Sequence, residues 1–246
     1  MKYIFGNWKM YLNTQQSIDL AREFAQLVQD GDGVEYAVFP NTLAFYDVAA
    51  ELKNSPVATG AQNVGWTPQG AYTGSTSAFM FSDAGAKYAL VGHSERRHVF
   101  GETNEDVRKR LEASIDVGLT PVLCIGETKE DRDADKTEYR LKKQLLKAFE
   151  NLSLNGNRVI VAYEPVWAIG TGDACVPEEA QRVINLIKQE IKQYVDTDVP
   201  VLYGGSVSAD NVVSYVSLPD IDGVLVGGAS SKAESFMTLI NNAISA

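Results

Sequence analysis

The sequence predicts a closed (β/α)8 barrel formed by a single domain over residues 1–246. Short apolar segments alternate with amphipathic, helix-like segments eight times along the chain. The apolar segments are continuous aliphatic and β-branched runs, which are typical of parallel strands covered on both faces. Right-handed crossovers between such strands favour closure into a barrel. An open doubly wound sheet is the alternative, but no G-x-G-x-x-G motif follows the first predicted strand.

The eight predicted strands are short apolar runs that end at glycine, proline or polar residues. With their exits they cover Tyr3–Gly6, Val34–Phe39, Val57–Gln62, Lys87–Gly92, Thr120–Glu127, Arg158–Val161, Pro200–Ser206 and Asp222–Gly228. Helical spacing predicts a first helix that begins with Thr14 as its N-cap and ends before Gly31. The later predicted helices cover Thr42–Lys53, Asn104–Val117, a segment from after Lys136 to Asn151, Pro177–Val195, Ala209–Val216 and Ser231–Ile244.

Composition limits the classes of partner. Lys and Arg number 22 against 32 Asp and Glu, a net charge of −10 without a basic cluster, which disfavours nucleic acid and anionic membrane. No apolar run is long enough to span a bilayer, and the N-terminal segment lacks the pattern of a signal peptide. Two distant cysteines make no disulfide framework. We therefore expect a reduced, cytoplasmic protein.

Residues suited to catalysis follow several of the predicted strands. In a barrel, the carboxyl ends of all strands share one rim, so residues from distant parts of the chain become neighbours there. The residues brought together in this way are Asn7, Lys9, His93, Glu164, Gly204, Gly205, Gly227 and Gly228. This convergence is stronger evidence than any one motif, since a lone histidine after a strand is usually structural and paired glycines usually form turns.

Glu164 lies at the end of the sixth strand, within the stretch Ala162–Gly172. Pro165 cannot donate a ladder hydrogen bond, so strand pairing stops there. Residues 165–175, called the lid segment below, include Trp167 and Ile169. Exposed apolar side chains of this kind suggest a loop that closes over the carboxylate, removes water and raises its basicity. The alternative interpretation is an ordinary exposed loop carboxylate.

The motifs at these strand ends resemble those of the triosephosphate isomerase family, in the same order and over the whole chain. They are Gly6–Met10, Val91–Arg97, Cys124–Thr128, Ala162–Gly172, Tyr203–Val207 and Leu225–Ser230. The resemblance implies a TIM barrel that interconverts dihydroxyacetone phosphate and glyceraldehyde 3-phosphate in glycolysis and gluconeogenesis. It also implies a homodimer and no metal or organic cofactor.

The resemblance also implies residue roles. Glu164 is expected to be the base, and His93 the electrophile in its neutral form, as is established for that family. Asn7 is expected to stabilise the oxyanion, and Lys9, oriented by Glu95, to bind the substrate. The expected phosphate-binding positions are Gly170, Ser206, Gly227 and Gly228.

Three supporting features are also expected. Cys124 ends an apolar strand and is predicted to be a buried core thiol. By resemblance, Tyr203 accepts a backbone hydrogen bond from the lid segment. Also by resemblance, the loop over residues 62–77 forms the dimer contact and Thr73 reaches the neighbouring subunit's site.

The sequence departs from the family pattern at three places. Ser75 stands where the family usually has Glu, which predicts the loss of one intersubunit ion pair, and the usual Pro near Ala78 is absent. The second hinge of the lid segment reads Asp173-Ala174-Cys175 in place of Lys-Thr-Ala, and Cys175 is expected to be an accessible thiol. Two other functions stay open on sequence alone: a barrel aldolase with Lys9 as the Schiff base, and a non-catalytic phosphate-binding barrel.

Overall fold

The predicted barrel is confirmed by a computed structural model, which describes residues 1–29, 31, 33–170 and 174–246. Eight parallel strands pair in sequence order, and the eighth closes on the first. The strands are β1 Lys2–Asn7, β2 Val34–Phe39, β3 Val57–Ala61, β4 Tyr88–Val91, β5 Thr120–Ile125, β6 Ile160–Tyr163, β7 Val201–Tyr203 and β8 Gly223–Val226. Because every strand runs in the same direction, all of their carboxyl ends meet at one rim.

Helices surround the strands. The described α-helices are α1 Thr14–Leu27, α2 Phe45–Leu52, α3 Ala78–Asp83, α4 Ser94–His98, α5 Asn104–Asp116, α6 Lys129–Asp133, α7 Thr137–Phe149, α8 Pro177–Ile191, α9 Val212–Val216 and α10 Ala233–Ile244. Single 3₁₀ turns cover Val166–Ala168 and Gly228–Ser231. Among the described helices, none combines the length and apolar character needed to cross a membrane.

The start of α1 differs from the prediction. Its N-cap is Asn13, and Thr14 is the first helical residue. The Asn13 side chain accepts from the N–H of Gln16 at 2.9 Å, while the Gln16 side chain accepts from the N–H of Asn13 at 3.0 Å. This reciprocal capping box satisfies two amides, which a threonine one residue later does not do.

Helices α2 and α3 also differ from the prediction. Helix α2 begins at Phe45 because Asn41 holds the preceding residues in a turn, its side chain accepting from the N–H of Ala44 at 3.2 Å. Helix α3 was not predicted, since it has only six residues and no alternation of polar and apolar faces. Ser77 caps α3 by accepting from the N–H of Met80 at 3.1 Å, and Phe81 packs edge-on against Phe45.

The apolar core has an inner and an outer part. Alternate strand residues point into the barrel, where Phe5, Phe39, Tyr88 and Leu90 belong to one fully buried cluster. The intervening residues point outward and pack against the helices, as Ile4 does. Because side chains fill the interior, the barrel is a solid scaffold and leaves room for a ligand only at its ends.

An ion-pair network closes the amino-terminal end of the barrel. Glu35, near the start of β2, contacts Lys87 Nζ at 3.0 Å and Arg158 Nη2 at 2.9 Å, and it accepts a hydrogen bond from the hydroxyl of Tyr88. Burial raises the pKa of Glu35, but hydrogen bonds from Tyr88, Lys87 and Arg158 outweigh burial and lower that pKa to about 2. The network therefore stabilises the end of the barrel that lies opposite the rim of strand exits.

Candidate active site

A cleft of about 410 Å³ lies at the carboxyl ends of the strands. It brings together eight residues that the sequence places at strand exits or in the lid segment. They are Asn7, Lys9, His93, Glu164, Gly170, Ser206, Gly227 and Gly228. The elements that carry them span most of the chain, so the cleft exists only because the barrel closes.

Glu164 and His93 form the chemical centre of the cleft. Glu164 Oε1 lies 3.0 Å from His93 Nε2, and Glu164 Oε2 accepts from the N–H of Ser94 at 2.7 Å. Only 2% of Glu164 and 6% of His93 is exposed to solvent. Charges so poorly hydrated interact strongly, so each group controls the protonation of the other.

The backbone around Glu164 is tightly packed. A Cβ atom on Gly126 would lie 1.7 Å from the carbonyl oxygen of Glu164, so β5 and β6 approach each other here only because residue 126 is glycine. The side chain of Gln144 accepts from the N–H of Gly126 at 2.9 Å, which holds this exit in place. Contacts between segments distant in sequence thus determine where the carboxylate leaves β6.

The histidine is oriented by the short helix that follows it. His93 is the N-cap of α4, and its Nδ1 accepts from the N–H of Glu95 at 3.3 Å. A ring nitrogen that accepts carries no proton, so the proton of the neutral ring is on Nε2, facing Glu164.

Burial and Glu164 act in opposite directions on His93. Burial lowers the pKa of His93, and the Glu164 carboxylate raises it, with a net rise while the two groups face each other. Burial likewise raises the pKa of Glu164, but His93 and the Ser94 N–H outweigh it and the net change is downward. The rise at His93 depends on the carboxylate staying in place, because burial and the nearby Lys9 ammonium both lower the pKa of the ring.

Lys9 supplies the cation of the cleft. Its Nζ lies 2.7 Å from Glu95 Oε1, so the expected pairing of these two residues is confirmed. Asn7 Oδ1 accepts from the N–H of Lys9 at 3.0 Å. The side-chain oxygen of Asn7 is therefore engaged by the backbone of Lys9, whereas the Nδ2 amide can donate a hydrogen bond to a ligand.

Glycine-rich turns form the other wall of the cleft. Gly228 begins a 3₁₀ turn, and a Cβ on Gly227 would come within 3.4 Å of Lys9 Cε. Ser206 Oγ donates to the carbonyl of Ala168 at 2.7 Å, which connects this wall to the lid segment. Backbone N–H groups in such turns can approach an anion closely. Gly172, in the motif that defines the lid segment, lies outside the described residues.

Glu127 contacts the lid segment, a role that sequence analysis did not assign. It is buried, and its Oε1 accepts from Trp167 Nε1 at 2.7 Å and from the hydroxyl of Tyr163 at 3.0 Å. The guanidinium of Arg132 lies 3.7 Å from the centre of the Trp167 ring. Trp167 is therefore half-buried, whereas we expected it to be exposed to water. The position of Glu127 inside the motif Cys124–Thr128 was the only signal in the sequence.

Both cysteines are buried, but in different parts of the core. Cys124 is fully buried in the barrel interior, as predicted. The expectation that Cys175 is accessible is wrong, because only 1% of it is exposed and burial raises the pKa of its thiol to about 12. It packs into the outer core, and its carbonyl accepts from the hydroxyl of Tyr215 at 2.6 Å. Tyr215 stacks on Tyr203 with 4.2 Å between ring centres.

Two predicted contacts reach beyond this cleft. The hydrogen bond expected from the backbone of the hinge to Tyr203 stays a prediction, because the hinge begins at residue 173 and residues 171–173 lie outside the described part of the chain. Thr73 is exposed and does not line the cleft of its own chain. Around it, the loop packs on itself, with Trp66 and Tyr72 in edge-to-face contact at 6.1 Å.

The closed barrel and the acid–base pair at its rim define a class: the (β/α)8-barrel enzymes. The family model of triosephosphate isomerase matches residues 2–243. A triosephosphate isomerase of Nostoc is 44% identical over 97% of this chain and 97% of its own. One of Picosynechococcus is 45% identical over 97% of each chain, and one of Dictyoglomus thermophilum is 39% identical over 98% and 99%. The chain belongs to the triosephosphate isomerase family.

Proposed function

We propose that this chain interconverts dihydroxyacetone phosphate and D-glyceraldehyde 3-phosphate through an enediolate. The observation that carries the proposal is the buried Glu164–His93 pair, 3.0 Å apart, in a cleft that also contains the Lys9 ammonium. The reaction moves a proton between adjacent carbons, so it needs a base, an electrophile and a site for the phosphate. The names of the relatives support the same activity.

Glu164 is the proposed base. Its lowered pKa keeps the carboxylate ionised in the free protein. To reach a substrate carbon, the carboxylate leaves the N–H of Ser94, to which Oε2 is bound at 2.7 Å. It then removes a proton from the carbon next to the carbonyl group and returns it to the neighbouring carbon. Loss of water around the carboxylate during this step raises its basicity.

His93 is the proposed electrophile. Its Nε2–H can donate to the substrate oxygens, where negative charge develops in the enediolate. Once Glu164 turns toward the substrate, the interaction that raises the pKa of His93 weakens, whereas burial and the Lys9 ammonium continue to lower it. The ring then acts as a neutral donor and can pass a proton between the two oxygens.

Lys9 and the glycine-rich wall are proposed to bind the phosphate end. In a chain of net charge −10, Lys9 provides local positive charge, and the N–H groups at Gly170, Ser206, Gly227 and Gly228 supply donors. Asn7 contributes its Nδ2 amide to the substrate oxygens. Lys9 Nζ is engaged in an ion pair with Glu95 at 2.7 Å, which disfavours a Schiff-base role, because such a lysine needs a desolvated amine that is free to attack.

A coupled assay with both triose phosphates tests the activity. We expect Glu164→Gln to lower kcat by a factor of about 10³ or more, because the amide cannot accept the proton, while phosphate affinity changes little. Glu138→Gln is the matched control, since Glu138 lies on α7 and pairs with Lys142. A Glu164→Gln variant within tenfold of the unmodified chain would exclude Glu164 as the base.

We further propose a cytoplasmic homodimer, with each chain folded as one domain over residues 1–246. Exposed apolar side chains in and near the loop over residues 62–77 support a partner surface, among them Tyr72, Met10 and Phe100. Thr73 would then approach the partner's cleft. Sedimentation velocity across a dilution series, with activity measured at each concentration, tests this arrangement. Full activity in a verified monomer would contradict it.

A further inference from the structure

Lys9 has an unusual backbone conformation. Among the described residues other than glycine, four have positive φ: Lys9 at 49°, Asp135, Asn151 and Asn155. Asn and Asp adopt the left-handed region readily, because their short side chains bond to the nearby backbone. Lys has no such compensation, so contacts from outside the turn must hold Lys9 in this conformation.

Gln62 provides such a contact. Its Nε2 donates to the carbonyl of Lys9 at 2.8 Å and to the carbonyl of Phe39 at 2.8 Å. The Phe39 carbonyl also accepts from the N–H of Trp8 at 3.1 Å. One side-chain amide at the exit of β3 thus joins the exits of β1 and β2, and it uses both of its hydrogens to do so.

The backbone of Lys9 determines where its ammonium lies. Lys9 Nζ sits 2.7 Å from Glu95, and Lys9 Cε passes 3.4 Å from the position that a Cβ on Gly227 would occupy. A return of Lys9 to the right-handed region would swing the side chain away from this narrow path. Both backbone polar groups of Lys9 are hydrogen-bonded to side chains: its carbonyl accepts from Gln62, and its N–H donates to Asn7.

We propose that Gln62 is a positioning residue for phosphate binding, acting through the backbone of Lys9. The proposal rests on the proposed function, in which Lys9 binds the phosphate end of the substrate. Gln62 is also the first residue of the proposed dimer loop over residues 62–77. A partner subunit that orders this loop would therefore order the phosphate site through the same side chain.

Two variants test the proposal. Gln62→Met keeps the length of the side chain and removes both donors, and Gln62→Glu replaces the donor with an acceptor. Gln189→Met is the matched control, because Gln189 on α8 donates only locally, to Asn185 at 2.7 Å on an exposed face. For each variant, calorimetry gives the dissociation constants of inorganic phosphate and of glycerol 3-phosphate. Kinetics give kcat and KM, and urea unfolding and sedimentation give stability and assembly.

We expect both Gln62 variants to raise KM and both dissociation constants together, by about three- to tenfold, the range for loss of one or two hydrogen bonds. We expect kcat to change less than threefold, because Glu164 and His93 are held by other contacts. The Gln189 variant should match the unmodified chain in all of these measurements.

Unchanged phosphate dissociation constants in folded Gln62 variants would overturn the proposal, even if their urea midpoints fall, because that result describes a purely structural residue. Equal losses in kcat and in phosphate affinity would also overturn it. The binding measurements need no turnover. An inactive unmodified chain whose Gln62 variants still lose phosphate affinity would therefore refute the proposed function and leave the role of Gln62 in place.

Discussion

Replacement of Glu35 by Gln at the closed end of the barrel should lower stability and leave catalysis intact. Glu35 accepts hydrogen bonds from Tyr88, Lys87 and Arg158, and its pKa falls from 4.5 to about 2 despite its burial. If solvent did not screen the network, the difference between a pKa of 4.5 and one of about 2 would correspond to roughly 3.4 kcal/mol of unfolding free energy. Lys87 and Arg158 are 53% and 50% exposed, so solvent screens the network, and we expect the measured loss to be about 1–2 kcal/mol.

The pH dependence has a definite sign. A carboxylate whose pKa is lowered by folding contributes its stabilisation above its unfolded pKa and loses it as the pH falls toward the folded pKa. The difference in unfolding free energy between the unmodified chain and Glu35→Gln should therefore be constant above about pH 6. It should fall by more than half by about pH 3, in the window between the two pKa values of 4.5 and about 2.

The assay is urea unfolding at one fixed protein concentration, repeated from pH 7.5 to pH 3, with activity measured at pH 7.5. Glu138→Gln serves as control, because its partner Lys142 lies one turn away on an exposed surface of α7. Equal stability of Glu35→Gln and the unmodified chain at pH 7.5 would refute the reasoning. So would a difference that persists undiminished to pH 3. A change in kcat at neutral pH would show that the two ends of the barrel are coupled.

Two further predictions concern single groups. In Glu164→Gln, the pKa of His93 should fall below its ordinary value, because burial and the Lys9 ammonium lower it, and the remaining carboxylate of Glu95 raises it less than these two effects lower it. Nitrogen-15 NMR titration measures this, and an unchanged or higher pKa would show that Glu164 is not what raises it. Cys175, whose thiol has a pKa of about 12 and is 1% exposed, should react with a thiol reagent in the native protein far more slowly than in urea. Rapid labelling of the native protein at this residue would contradict the buried position.

Much of the fold was predictable because the relevant physics is local or repetitive. Eight apolar runs with helices between them are visible along the chain, and parallel strands that close into a barrel must place their exits on one rim. For this reason the sequence alone predicts that Asn7, His93 and Glu164 lie at one rim. The errors in helix assignment arose at weak local signals: Asn13, and not Thr14, is the N-cap of α1, and α3 is too short to show a helical period. The errors over Cys175 and Trp167 had another cause, since tertiary contacts bury these side chains.

The sequence by itself determined the number of strands, the rim on which the chemistry lies, and the residues capable of it. Only the tertiary structure decided which of those groups are held, buried or paired. The Gln62 amide meets the Lys9 carbonyl across 53 positions, and the Ser94 N–H meets Glu164 across 70. Glu127 lies under Trp167, and Cys175 packs into the core. Such contacts depend on how strands that are distant in sequence lie next to one another in the barrel. The spacing of residues within one segment carries no information about the distance between atoms of two different segments.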